Sequence, residues 1–305
     1  MKLQDYLQSS SEYLLECLKK DNSPELDDND TVADFHAHAD IFSKQDLYDT
    51  LDSMVKNNVD LLAITHRILN LMGERTYDDV KGLIKEQHLE EELGYEDLGR
   101  AFRINHKGRK LTLVGAYEVE VSLDKNSRFL NHMIVLMPNK GFDKYIDKPR
   151  SLEDFTALGK EYKAILIGAH PYSVKDTQAR SRLSKYRVAP FNYHSLIETK
   201  FFPAVDSVDC VSSNVGWMKH SNNLLEKRYS KKPLWTSDAS IKSDFGRAGT
   251  IFKLKDYKDG NELRSHLKNL MATGQFRTYP GYKSPISALK YLLDFIPHQY
   301  PQAEN

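Results

Sequence analysis

Short apolar runs alternate with helical stretches along most of this chain, and that alternation limits the folds open to it. The runs read TVADFHAHA, VDLLAITH, KLTLVGAYEVEVSL, FLNHMIVLMP, KAILIGAHP, VDSVDCVSS, KPLWTSDAS and AGTIFKL. Segments 47–56, 152–162 and 220–229 lie between them and read as helices. Strands that alternate with helices build βα units, so the expected class is α/β with a mainly parallel sheet or barrel. The 305 residues, 40% of them hydrophobic, suffice for one barrel or for two smaller domains. The expected division is an N-terminal helix and linker over 1–30 and one barrel domain over 31–305. Leu7, Tyr13, Leu14, Cys17 and Leu18 recur at helical spacing, and the stretch after them is polar and acidic. Residues 68–110 form a charged insertion expected to be mostly helical. On a barrel it would lie over the active face, where it offers a surface to a protein partner. A second long excursion covers 172–200, and 284–296 reads as a helix.

Charge and cysteine content exclude several roles. Lys+Arg and Asp+Glu both number 43, so the net charge is zero, which argues against a broad grip on duplex nucleic acid. Two cysteines, Cys17 and Cys210, make neither a disulfide framework nor a cysteine zinc site. The first residues lack the apolar core of a signal peptide, and no stretch is apolar enough to span a membrane. The expectation is a soluble, cytoplasmic protein.

Chemistry concentrates at the ends of the apolar runs. In Asp34-Phe35-His36-Ala37-His38, strand alternation puts His36 and His38 on one face, where two imidazoles can hold one metal ion. In Gly115-Ala116-Tyr117-Glu118-Val119-Glu120-Val121, Glu118 and Glu120 share a face opposite Tyr117, Val119 and Val121. A carboxylate there can bridge two cations, although an edge strand with one wet face would show the same pattern. His132 opens an apolar strand, as a core histidine also would. His170 ends the buried run 164–168, just before Pro171, and strand C-termini are where α/β sheets and barrels place their sites. Asp238 ends another buried run. An acid there is costly unless paired or metal-bound, or it caps a following helix.

Taken in order, DFHAHAD, VDLLAITHR, GAYEVEVS, NHMIVLM, GAHPYS, VDCVSSNVG and TSDAS followed by GRAGTIF resemble the PHP family, named for polymerase and histidinol phosphatase. The resemblance covers residues 32–252. It implies a distorted (β/α)7 TIM-like barrel that holds up to three divalent metals at the strand C-termini, in phosphatases, phosphoesterases and nucleases. It carries ligand roles onto His36, His38, His132, His170 and Asp238, and a bridging role onto Glu118 or Glu120, with the string Val119-Glu120-Val121-Ser122 closer to the family's usual one. Three positions depart from the family pattern. Thr65-His66-Arg67 stands where Thr-Asp-His is usual, Asp238-Ala239-Ser240 where Asp-x-His is usual, and Ser43 where an acid or histidine is usual. In the family these serve the third metal together. The resemblance therefore implies two divalent ions, Zn, Mn or Fe. His36, His38, the glutamate and Asp238 would hold one, and the shared glutamate, His132 and His170 the other. Arg67 would replace the missing cation against a substrate phosphate, unless a shifted turn lets His66 rescue the third site.

The bond is better specified than the molecule. Arg180, Arg182, Lys185 and Arg187, joined by Lys242 and Arg247, would bind an anion: a phosphorylated small molecule such as a nucleotide or sugar phosphate, or a nucleic-acid end. Two other classes stay open. One is a metal amidohydrolase, although no bridging lysine is evident. The other is a non-catalytic barrel with a degenerate metal site, used for binding.

Overall fold

The computed structural model describes residues 25–39, 41–67, 76–178, 186–211, 231–239 and 242–279. The expected helices at the N-terminus, at 220–229 and at 284–296 lie outside these residues, as do Arg180, Arg182, Lys185 and Ser240. The described strands are β1 (Thr31–Ala37), β2 (Leu61–Arg67), β3 (Glu96–Asp97), β4 (Ala101–His106), β5 (Arg109–Ser122), β6 (Phe129–Leu136), β7 (Arg150–Ser151), β8 (Ile165–Ala169), β9 (Ser173–Asp176), β10 (Tyr186–Val188), β11 (Ser207–Val211), β12 (Leu234–Thr236), β13 (Gly249–Phe252) and β14 (Phe276–Tyr279). The helices are α1 (Lys44–Lys56), α2 (Tyr77–Glu86), α3 (Leu152–Glu161), α4 (Phe191–Leu196), which continues through a π-helical turn (Ile197–Phe201), and α5 (Gly260–Thr273).

Local chemistry accounts for the helices. Ser43 caps α1 by accepting from the Asp46 amide, and Leu47, Thr50, Leu51 and Met54 form the face it buries. Thr76 and Asp79 make a reciprocal capping box at α2, whose buried face is Tyr77, Val80, Leu83 and Ile84. Among the described residues, no helix is long and apolar enough to cross a membrane.

The main sheet runs β12-β11-β8-β6-β5-β2-β1-β13-β14. Its two arms meet again where Ala37 bridges Ala239 in parallel and the His38 amide donates to the Ala239 carbonyl at 2.8 Å, so these nine strands form a nearly closed, barrel-like sheet. The mainly parallel expectation holds for β1–β2, β2–β5, β8–β11 and β11–β12. It does not hold for β6, which runs antiparallel to both β5 and β8. The reason is the connection. A parallel return needs a crossover of a dozen or more residues. Here β5 and β6 are joined by a short turn in which Asp124 and Ser127 take up local hydrogen bonds. The reversal matters for the site, because it brings the start of β6 to the level at which β5 ends.

The insertion corrects the helical expectation for 68–110. Its described part is helical only over α2. Residues 96–106 are a hairpin, β3–β4, and β4 extends the sheet antiparallel to β5 through six register pairs. Phe102 and Ile104 alternate with Arg103 and Asn105, and their side chains pack with α1 and α2 in one apolar cluster. A period of two, short as it is, overrides the helix-forming acids before it.

Both faces of β5 are buried, so it is no solvated edge strand. Tyr117, Val119 and Val121 pack outward with Phe142, Phe155 and Phe201. On the other face, Val114 and Ala116 join Ile134, Ile165, Ile167 and Leu234 in an apolar layer, and Glu118 and Glu120 continue that face beyond it. The carboxylates thus stand above a dry floor.

Candidate metal centre

His36 and His38 are each held by one ring nitrogen and offer the other. His36 Nδ1 donates to Asp209 Oδ2 at 2.9 Å, and Asp209 is held in turn by the Thr236 hydroxyl at 2.7 Å. The opposite nitrogen, Nε2, is buried without a hydrogen-bond partner and lies 3.3 Å from Asp238 Oδ1 and 3.8 Å from Glu118 Oε1. His38 Nδ1 donates to the Thr65 carbonyl at 3.0 Å, which turns its Nε2 to within 3.5 Å of both Glu118 Oε2 and Asp238 Oδ1. A ring nitrogen anchored to a carboxylate or carbonyl fixes the tautomer that leaves the other lone pair for a metal.

Glu118 joins the two halves of the cluster. Its Oε1 lies 2.7 Å from His132 Nδ1 and 3.2 Å from His170 Nε2, while its Oε2 faces His38. His132 Nδ1 and His170 Nε2 are 3.4 Å apart. His132 reaches this point because β6 is reversed. His170 and Asp238 reach it from residues just past β8 and β12, both with positive φ, +28° and +44°. Non-glycine residues in that region are uncommon, and such strain collects at functional sites.

Glu120 is placed differently. It shares a face with Glu118, but its Oε1 pairs with Lys175 Nζ at 2.5 Å. Of the two glutamates left open by the sequence, the structure puts Glu118 among the histidines and Glu120 with a lysine, against the lean toward Glu120 drawn from the motif string.

His66 pairs in register with Tyr117, on the face opposite Glu118, and its ring stands edge-on to the Tyr117 ring. Arg67 falls in register with Glu118, but its side chain lies outside the described residues, as does that of Arg187. Ser43 is the α1 cap. Lys242 pairs with Asp46 at 2.7 Å and Arg247 with Asp244 at 3.1 Å.

The site's charge balance calls for a cation. Burial opposes a charge on His36, but the negative charges of Asp238 and Glu118, with the hydrogen bond to Asp209, outweigh it and raise the imidazole well above its usual range. The same carboxylates that retain a proton there would favour a metal ion in its place. Two groups of ligand atoms lie within 4.8 Å of one another: His36, His38 and Asp238, and His36, Glu118 and His170. Mixed imidazole and carboxylate donors, with a buried nitrogen lacking a partner, fit divalent transition metals.

Asp209 was not singled out in the sequence. An acid inside a buried strand needs a partner, and VDSVDCV places one there just as the run ending at Asp238 does. Asp209→Asn is expected to weaken metal affinity 10- to 100-fold with the fold retained, in keeping with roughly that cost for carboxylates behind metal-bound histidines. Titration with Zn²⁺ against a competing chelator measures it, and unchanged affinity would show that Asp209 only fills space.

No protein-family model and no curated protein matches the chain. Among solved structures it is similar to PsfC from Pseudomonas syringae, with a TM-score of 0.53 at 16% identity over 89% of this chain and 98% of that one. The likeness shows a shared fold. A looser overlay, with a TM-score of 0.41 at 11% identity over 77% of this chain and 95% of the other, is found with a protein of Bifidobacterium adolescentis provisionally named a metal-dependent phosphoesterase.

Proposed function

We propose that this chain is a metal-dependent phosphoesterase of PHP type, with a binuclear centre on a distorted (β/α)7 barrel. The observation that carries the reading is Glu118, whose two oxygens face histidines from opposite sides of one cluster. His36, His38 and Asp238 would hold one divalent ion. His132 and His170 would hold the other, with Glu118 shared between them. When bound, such ions supply a nucleophile from water at neutral pH and Lewis-acid stabilisation of phosphoryl oxygens.

The chain's own residues do the rest. Asp209 and the Thr65 carbonyl keep the His36 and His38 rings turned inward. The apolar layer under Glu118 excludes water from below, so charges in the site act in a low dielectric. The ring of strands β1, β2, β5, β6, β8, β11 and β12 is the observation that supports the barrel assignment.

Hydrolysis of p-nitrophenyl phosphate, with Mn²⁺ or Zn²⁺ supplied, tests the reading. Turnover should require added metal, stop with chelator and fall on the order of 10³-fold in His170→Ala. A protein that binds two metals yet turns over neither this monoester nor bis(p-nitrophenyl) phosphate would be a binding module. One that binds no metal would refute the centre itself.

A further inference from the structure

Lys175 is the one basic side chain among the described residues that the register brings to the face of the metal cluster through β9. On the β6–β9 ladder it stands opposite Leu130, which shares its face of β6 with His132 two residues on. On the β5–β6 ladder His132 stands opposite Glu120, which shares its face of β5 with Glu118. The Lys175 amine closes this arrangement by binding Glu120 Oε1 at 2.5 Å, with both side chains largely buried. Along the strand, Glu120 lies about 7 Å from Glu118, the rise of two residues.

An ammonium group has three donors, and Glu120 takes one. Lysine is a flexible point charge, so a buried carboxylate that fixes its end removes much of the entropy lost when it meets a ligand. Lys242 and Arg247, two other basic residues that follow a site strand, pair with Asp46 and Asp244.

We propose that Lys175, oriented by Glu120, binds a non-bridging phosphoryl oxygen of the substrate beside the His132–His170 half of the centre, and selects a terminal phosphomonoester over a diester. The inference rests on the metal-centre reading above. A phosphomonoester is a dianion at neutral pH and presents three terminal oxygens, so it can meet the cations at Glu118 and the Lys175 amine at once. A diester has one negative charge and one fewer oxygen free. Lys175 and Glu120 are thus positioning and specificity residues, apart from the metal ligands.

The test uses the full chain loaded with Mn²⁺ and four variants: Lys175→Met, Lys175→Arg, Glu120→Gln and the double variant Lys175→Met/Glu120→Gln. Calorimetric titration with inorganic phosphate gives affinity without requiring turnover. Kinetics on p-nitrophenyl phosphate and bis(p-nitrophenyl) phosphate give the monoester preference. Lys175→Met should retain both metals, weaken phosphate at least 10-fold, raise KM for the monoester more than it lowers kcat, and reduce the monoester-to-diester ratio of kcat/KM. Lys175→Arg should recover part of each effect. The double variant should stay as weak as Lys175→Met, because neutralising Glu120 restores charge balance but no donor. Recovery of phosphate affinity in the double variant would overturn the proposal, since the lysine would then serve only to neutralise Glu120. No phosphate binding by the metal-loaded wild type, or unchanged affinity in Lys175→Met, would overturn it as well. If phosphate binds and weakens as expected but neither ester is hydrolysed, the lysine site stands and the hydrolase reading falls.

Discussion

Replacing Glu118 with glutamine is expected to remove metal binding and phosphoester hydrolysis together, with kcat/KM down on the order of 10³-fold or more. Glu118 is the only carboxylate within reach of His132, His170 and His38 alike among the described contacts. A glutamine presents one acceptor oxygen and an amide with two donors, so it cannot face imidazole nitrogens on both sides, and it removes one negative charge from a buried cluster that must balance divalent ions. Glu120→Gln is expected to retain both metals, because its carboxylate is engaged by Lys175 and not by the histidines. Metal content by elemental analysis after desalting, alongside turnover, distinguishes the two glutamates. If Glu120→Gln loses a metal ion and Glu118→Gln keeps both, the bridge is Glu120 and the ligand partition proposed above is wrong.

That contrast shows what the sequence could and could not reveal. Alternation along GAYEVEVS put both glutamates on one face, and the structure agrees. Choosing between them required knowing how far β5 extends past its neighbours and which residue of β9 lies alongside, and these are properties of sheet register. In the same way, strand-end placement picked out His36, His38, His170 and Asp238, because a polar residue that closes an apolar run is a local signal. His132 was legible as a histidine in a strand, but its delivery to the site depends on the reversal of β6, which a short turn decides. The helical expectation fails over residues 96–106 because the acids preceding them favour a helix, whereas the pairing of β4 with β5 is long-range. Asp209 reaches the site only through the His36 ring that it holds, and such a partner leaves the weakest trace in a single chain.

The second large effect concerns stability. Asp34→Ala is expected to cost about 3–5 kcal/mol of folding free energy, the range for removing one partner from a buried charged network. Asp34 is fully buried, one turn of the pleat behind His36. Its carboxylate accepts from the Ser237 hydroxyl at 2.6 Å and the Gly246 amide at 2.9 Å on one oxygen, and from the Ser237 amide at 3.1 Å and the His36 amide at 3.3 Å on the other. Burial pushes the group up to about 6, and these donors act against that rise, so it is mostly ionised at neutral pH and every contact serves the anion. The clasp holds β1 to the residue before Asp238 and to the loop at Gly246. That loop has φ +68°, and a Cβ there would meet Val59 Cγ2 at 1.9 Å, so the amide can approach Asp34 only from a glycine. Alanine at position 34 would take the acceptor from three buried backbone amides and a hydroxyl. Asparagine keeps the size but turns an amide donor toward other donors, and about half the cost is expected. Urea denaturation of the metal-free chain measures both, so that loss of bound metal does not enter the comparison. A cost below about 1 kcal/mol for Asp34→Ala would mean that the β1–β12 closure is held by its backbone bridge at Ala37 and Ala239 alone. A cost near 4 kcal/mol would place the barrel's closure and the aim of His36 and Asp238 under one buried carboxylate.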